Sequence, residues 1–411
     1  MTAETARKFA SLEAQASRIM AVFANAGYEA VAPAIIQPAD VFLDAVGEAL
    51  RARTYVFADQ DGAELCLRPD LTVPACRLHL ERTADGSEPA KYCYNGPAFR
   101  FQPAGAGSAH PREFRQAGIE SFGAADRTGA EAEVLALTVE AVDAAGLSRR
   151  ALHMRFGDLE MVRALLEAAP MPSRWRRRLQ AQYWQPAEFR AELKRLAEDP
   201  AGLARGLPEP LRTALHKATQ ADAEAQITAH LEASGQEPFG ARRIAEVAEN
   251  ALAIAEDARA HPLDARMVEL IESYVAIRAP AQEAATCIRT LAKTAGVDLT
   301  VPLARFEERL ARFDARGLDL DAATFSGDFG RALEYYTGFV FEIGGPGLGA
   351  NSPIAGGGRY DGLMRMAGSR VDVPAVGAAI HTERLLSAIA GSGAGDPDAL
   401  AAAARAKEGG R

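Results

Sequence analysis

Arg100, Arg112 and Arg384 fall at the ends of strand- or helix-forming segments, beside stretches rich in glycine. A guanidinium in such a place suits two-pronged capture of a carboxylate or a phosphate. Gln116, Gly118 and Glu120 alternate along FRQAGIESFG and so share one face of an extended segment. A glutamine and a glutamate side by side on a central strand are costly to bury unless they bind something. Together with Asp70 they suit an amino group. Arg331, Tyr335 and Tyr336 precede TGFVFEI at 337–343, an aromatic and β-branched segment that suits a half-buried strand. Beyond it, Gly356, Gly357 and Gly358 read as a tight turn that returns Arg359, Tyr360 and Asp361 to the same place. Ser326–Leu363 then reads either as a hairpin with a long loop or as half of a pocket. The inventory is that of an amino acid site, alone or beside a nucleotide site.

Other chemistries find no support. The chain has no G-x-x-x-x-G-K-[ST] loop, no G-x-G-x-x-G after a first strand and no G-x-S-x-G elbow. His110 and His381 lack partners at metal spacing, so neither a metal nor a cofactor is expected. Cys66, Cys76, Cys93 and Cys287 form no C-x-x-C pair, which suits reduced thiols in the cytoplasm. Acidic residues near the N-terminus argue against a signal peptide, and no apolar run is long enough to span a membrane. A net charge of -9 argues against bulk binding of nucleic acid. The basic run SRWRRR at 173–178, with Tyr183 and Trp184 close by, reads first as a solvated helix face with an aromatic anchor, and otherwise as a local nucleic-acid surface on an acidic chain.

The elements that must position these residues follow from periodicity. With 411 residues, 48% apolar and 25% charged, the chain reads as a globular protein of two or three domains. Phe9, Leu12, Ala16, Ile19 and Phe23 form a helical stripe that Gly27 ends. An extended segment follows over 28–42, where Pro33 and Pro38 exclude helix. Residues 54–68 form a hairpin around Gln60-Asp61-Gly62. A helix starts near Asp70 or Thr72, with Val73, Cys76, Leu78 and Leu80 as its buried candidates. Residues 91–102 and 112–123 pair as strands, and helix 129–145 closes the unit. From about 151 to 310 the chain is alanine-rich and helical, an insertion without a fixed repeat. Residues 301–316 form an amphipathic helix ended by Gly317. A strand at 374–380 then runs into helix 382–390. The domain reading is a core of 1–150 and 311–390, an inserted helical region at 151–310 and a flexible tail at 391–411.

The segments LRPDLT (67–72), AFRFQ (98–102), REFRQAGIE (112–120), ALEYYTGFVFE (332–342), AGGGRYDGL (355–363) and PAVGAAIHTERLL (374–386) resemble, in this order, those of histidyl-tRNA synthetases. GYEAVAPAI at 27–35 resembles the segment that builds the dimer interface in that family. The resemblance implies an α+β fold, a class II aminoacyl-tRNA synthetase-like antiparallel sheet flanked by helices. Carried over by position, it makes Asp70, Thr72, Arg100, Gln116, Glu120, Arg331, Tyr335 and Tyr336 the histidine contacts, with Glu334 as the acidic residue of the histidine motif. The departures lie in the nucleotide half. Gln102 stands where the family has a glutamate, and His381 stands where it has a glycine. Gln102, Arg112, His381 and Arg384 would therefore form a degenerate nucleotide site. The anticodon-binding domain of the synthetases is not expected here either.

This pattern is similar to the synthetase-like regulatory subunits of ATP phosphoribosyltransferase. It implies no catalytic residue of the chain's own and activation of a short catalytic subunit at the first step of histidine biosynthesis. It also implies feedback by L-histidine, a homodimer and a hetero-octamer with that partner, and a cytoplasmic location. An active synthetase-like enzyme, or a histidine sensor with another partner, is the alternative.

Overall fold

The computed structural model describes residues 5–45, 48–102, 111–200, 202, 206–234, 243–257, 259–331, 333, 335–349 and 351–392. Glu334, His110 and the tail from 393 onward lie outside the described residues. The chain forms two compact units. One comprises Met1–Met161, Ile277–Thr290 and Leu299–Arg411; the other comprises Val162–Ala276 and Leu291–Asp298.

In the first unit the early strands are β1 (Glu29–Ala30), β2 (Ile36–Pro38), β3 (Tyr55–Ala58), β4 (Glu64–Leu67), β5 (Ala90–Phe99) and β6 (Glu113–Phe122). The later ones are β7 (His153–Asp158), β8 (Arg278–Pro280), β9 (Ala323–Ser326), β10 (Phe339–Gly344), β11 (Ala355–Arg359) and β12 (Ala375–His381). Among the described residues the main sheet runs β1-β5-β6-β12-β11-β10-β7-β9-β8, and a smaller one runs β2-β4-β3. The β1–β5 and β7–β9 pairs are parallel and the others are antiparallel, so the α+β expectation holds with a mixed rather than purely antiparallel sheet.

Helices cover this sheet, whose central strands are buried on both faces; β6 is buried from Gln116 to Phe122. The Ala6–Asn25 helix buries Leu12, Ala16, Ile19 and Phe23, and ends at Gly27, whose φ is +85°. The Arg127–Ala144 helix starts where the Asp126 carboxylate accepts the Gly129 N–H at 3.0 Å, and it buries Val134, Leu135, Val139 and Val142. The Thr300–Ala315 helix buries Leu303, Phe306, Leu310 and Phe313. The Thr72–Arg82 helix buries Val73, Cys76 and His79, whereas Leu78 and Leu80 are only half-buried.

Three expectations change. The extended reading of 28–42 fails at Ala39, where a helix begins (Ala39–Ala45) directly after Pro38. A proline is tolerated there because a helix's first N–H groups have no partner inside the helix. Gly356–Gly358 is not a turn but the middle of β11, paired with β10 on one side and β12 on the other. Crowding explains the glycines: a Cβ at Gly357 would lie 2.8 Å from the Ala378 Cα. The insertion is also narrower than 151–310. Residues 153–158 pair with β10 and β9, and 278–280 pair with β9, which assigns both segments to the sheet unit.

The second unit is helical. Leu211, Leu215, Ala223, Ile227, Ala248, Ala251 and Ala255 form one of its cores. In its Ser173–Gln182 helix Trp175 is buried, and Tyr183 just beyond packs edge-on against Phe189 at 5.6 Å. Arg174 pairs with Asp257 at 3.1 Å and Arg178 with Glu192 at 2.9 Å. Trp175 and Tyr183 are therefore unavailable for stacking on bases, in keeping with the reading of 173–184 as an anchored helix face.

Candidate functional site

β6 carries the site, and glycines make room for it. Glu120 is fully buried and stands opposite Gly377 of β12, where a Cβ would lie 2.6 Å from the Glu120 Cδ. Gly118 stands opposite Tyr94 of β5; a Cβ there would lie 2.7 Å from the Tyr94 ring. The Tyr94 hydroxyl thus reaches Glu120 Oε1 at 2.8 Å, and the Tyr360 hydroxyl donates to Glu120 Oε2. The Thr72 hydroxyl also favours the ionised Glu120. Burial drives the Glu120 carboxyl up to about 7; the three hydroxyls only moderate that rise, and Asp70 adds to it. A buried carboxyl held by hydroxyls and no guanidinium is ready to be ionised by an arriving cation.

Asp70 opens the Thr72–Arg82 helix, its Oδ1 accepting the Val73 N–H at 3.2 Å. Burial raises its pKa, and Arg100 works in the opposite direction. Arg100 donates from Nε to the Pro69 carbonyl at 2.8 Å and lies over the Phe114 ring at 5.1 Å. Burial brings its own pKa down to about 10, against the pull of Asp70. Tyr335 packs on Tyr336 at 4.8 Å and on Tyr360 at 5.6 Å, and the Arg331 guanidinium lies 5.7 Å from the Tyr336 ring centre. Arg331 donates to the Phe341 carbonyl at 3.2 Å and to Glu342 at 3.3 Å, in space that Gly356 leaves open. Three buried polar atoms of this cluster have no partner: Asp70 Oδ2, Gln116 Oε1 and Arg331 Nε. Two acceptors and a donor left in this state match a ligand that carries both an amino group and an acceptor oxygen.

The nucleotide-side residues are disposed differently. The His381 ring packs on Phe114 at 5.2 Å, directly opposite Gln116 across the β6–β12 pair. Arg384 donates to the Pro353 carbonyl at 3.0 Å. Arg112 donates twice to the Gln102 carbonyl, at 3.1 and 3.0 Å, and lies over the Phe101 ring. Glu383, at the start of the last helix, accepts the Arg115 backbone N–H. Of the eight residues expected to contact an amino acid, seven interact with one another around Glu120 and Asp70, and Gln116 shares the Glu120 face of β6 beyond Gly118. Of the nucleotide set, His381 joins them through Phe114, while Arg112 and Gln102 bond each other at the end of the β5–β6 hairpin.

Tyr94 and Arg68 are not among the residues the sequence points to, whereas Tyr360, expected beside the site, proves to be a direct Glu120 partner. Tyr94 carries an alternation signal, two residues from Tyr92 in KYCYNG. Arg68 is buried and donates to Pro97 O at 2.8 Å and Pro33 O at 2.5 Å, pinning the extended 31–35 segment against β5. A separate cleft of about 370 Å³ is lined by Lys91, Asp126, Gly129, Glu133, Arg312 and Arg316. Its charges answer one another, Lys91 with Glu133 at 2.5 Å and Arg312 with Asp126 at 2.7 Å. Among the described residues no His, Cys, Asp and Glu group is disposed to hold a metal, and no helix is long and apolar enough to cross a membrane.

Sheet and helices define a class II synthetase-like scaffold, with the Glu120 cluster buried in it. The family model described as Histidyl-tRNA synthetase matches residues 4–262 and 245–385. A solved structure described as an ATP phosphoribosyltransferase regulatory subunit/histidyl-tRNA synthetase, from Bacillus halodurans, superposes with a TM-score of 0.65 at 21% identity. That superposition covers 95% of this chain and 81% of the other. A histidine–tRNA ligase subunit from Alicyclobacillus acidocaldarius gives a TM-score of 0.56 at 25% identity, over 95% of both chains. Two sequence relatives carry the name ATP phosphoribosyltransferase regulatory subunit. The one from Chelativorans sp. (strain BNC1) is 35% identical over 370 residues, 90% of this chain and 96% of its own. The one from Brucella anthropi is 34% identical over 355 residues, 85% of this chain and 90% of its own. The chain belongs to the family of ATP phosphoribosyltransferase regulatory subunits, within the histidyl-tRNA synthetase-like group.

Proposed function

We infer that the chain is a non-catalytic regulatory subunit that works with a catalytic ATP phosphoribosyltransferase subunit in histidine biosynthesis. The observation that carries this reading is identity of 34–35% along nearly the whole chain to proteins of that name. The finer reading is that the partner is the short form of the catalytic subunit, assembled with this chain as a cytoplasmic hetero-octamer. L-histidine is the ligand and binds in the Glu120 pocket. Its ammonium would meet Asp70 Oδ2, Gln116 Oε1 and Glu120, and its carboxylate would meet Arg331 or Arg100. The unpartnered buried atoms support this, since a ligand would relieve their desolvation cost, about 1–3 kcal/mol for each. Feedback is then a coupling free energy between this pocket and the partner's active site. A homodimer through the 27–35 region is supported by exposed apolar residues nearby, Ile35, Ile36, Val56 and Phe57.

Aminoacyl transfer is the rival reading. Against it stand the His381 ring on Phe114 and the arginines engaged with backbone carbonyls, in the region a nucleotide would need. Calorimetric titration with histidine, run beside a histidine-dependent pyrophosphate-exchange assay, tests the pair. The reading expects binding without exchange. Exchange at saturating histidine would establish the rival, and absence of binding would remove the pocket.

A further inference from the structure

Six charged side chains beneath the site form a network that the pocket itself does not use. Arg309 of the 300–315 helix donates to Glu131 Oε2 at 2.5 Å and to Asp158 Oδ2 at 2.7 Å. Glu131, on the 127–144 helix, accepts from Arg359 Nε at its other oxygen. Arg359 also donates to Asp361 at 2.8 Å and to the Arg127 carbonyl at 2.8 Å, and Arg127 returns to Asp361 at 2.6 Å. Three cations meet three anions, and the Glu131, Asp158, Arg309 and Arg359 side chains are at most 2% exposed.

Its position relative to β11 is what matters. Gly356, Gly357 and Gly358 leave that strand without a side chain at three successive positions. Arg359 is the first residue after them that can key the strand to the helix layer, and its planar fork is held at three points. Side chains alternate along a strand, so locking Arg359 on the helix face sets the direction of Tyr360 on the other. Tyr360 leaves the strand with its N–H on the Ala375 carbonyl at 2.8 Å and its hydroxyl on Glu120.

We propose that Glu131, acting through Arg359, is a positioning residue that sets where the Tyr360 hydroxyl meets Glu120. Its consequence for histidine binding rests on the pocket reading above, but the contact itself does not. The test therefore uses the full-length, ligand-free protein, with the Glu120 carboxyl followed by carbon NMR as pH is varied. Glu120→Gln assigns the signal. Tyr360→Phe removes a donor to the carboxylate and raises the midpoint, by about 0.5 unit or more. Glu131→Gln and Arg359→Lys, which keeps the charge without the fork, are expected to raise it in the same direction. Arg312→Ala, which breaks an exposed pair elsewhere, leaves it in place. Where a buried substitution prevents folding, the partly exposed Asp361→Asn frees one Arg359 donor and serves the same comparison. A folded Arg359→Lys or Asp361→Asn protein with the wild-type midpoint overturns the proposal, as does a Tyr360→Phe midpoint that stays put. If only the histidine reading is wrong, the shifts appear while wild-type protein fails to bind histidine.

Discussion

Replacing Glu120 by glutamine is expected to stabilise the ligand-free protein at pH 8, to leave it nearly unchanged at pH 5, and to remove histidine binding. Burial holds this carboxyl at about 7, against an ordinary value of 4.5. A raised folded-state pKa favours the folded protein only while the group is protonated. The contribution is fully present below the unfolded value and is lost as pH rises through the folded one. At pH 8 the ionised carboxyl then costs about 3 kcal/mol, and at pH 5 less than about 1 kcal/mol. Glutamine never ionises, but it offers one acceptor oxygen where Tyr94 and Tyr360 now have two, a loss of about 1 kcal/mol. The net gain at pH 8 is about 2 kcal/mol, a rise of a few degrees in the unfolding temperature. Calorimetric melts of both proteins at the two pH values check it. An equal drop in melting temperature at pH 5 and pH 8 would refute the reasoning, because it would mean that the carboxylate is ionised and well partnered without ligand.

Other outcomes follow from the same geometry. Tyr336→Ala removes a ring that packs on Tyr335 and faces Arg331, and should weaken histidine binding at least tenfold in a calorimetric titration. Light scattering should show its oligomeric state unchanged. His381→Gly uncovers the Phe114 ring and should raise ATP affinity measurably in a fluorescence titration, while pyrophosphate exchange stays absent because Gln102 remains. Arg309→Met leaves Asp158 without a guanidinium and Glu131 with Arg359 alone, and should cost about 3–5 kcal/mol in denaturant titrations at pH 7. Burial pushes the Glu131 carboxyl up, but Arg309 and Arg359 outweigh it and hold the pKa below its ordinary value. Its contribution is therefore lost as pH falls, and the Arg309→Met deficit should shrink in acid.

Much of the scaffold was legible because its signals are local. Period-2 alternation places Gln116, Gly118 and Glu120 on one face, and glycines at 27 and 317 end the helices that cover the sheet. The strand at 355–359 was not legible, because glycine disfavours strands and the reason for it here is crowding by residues distant in sequence. Pro38 misled for the opposite reason: its local effect is real, but it falls where a helix start tolerates it. Tyr360 gains its role only when β11 is brought beside β12, and Glu131 reads as one more polar residue on an apolar helix until Arg309 and Arg359 arrive. The pairing of Arg112 with Gln102 is likewise a tertiary fact that spacing alone did not reveal.

The central claim is regulation of a partner through this pocket, and one measurement reaches it directly. Phosphoribosyl transfer to ATP by a short-form catalytic subunit is followed alone, with this chain, and with this chain plus L-histidine. The account predicts a large gain in rate on adding the chain, loss of that gain with histidine, and a complex carrying Glu120→Gln that is active but insensitive to histidine. A rate that does not respond to the chain would contradict the regulatory reading. A Glu120→Gln complex inhibited like the wild type would contradict the pocket.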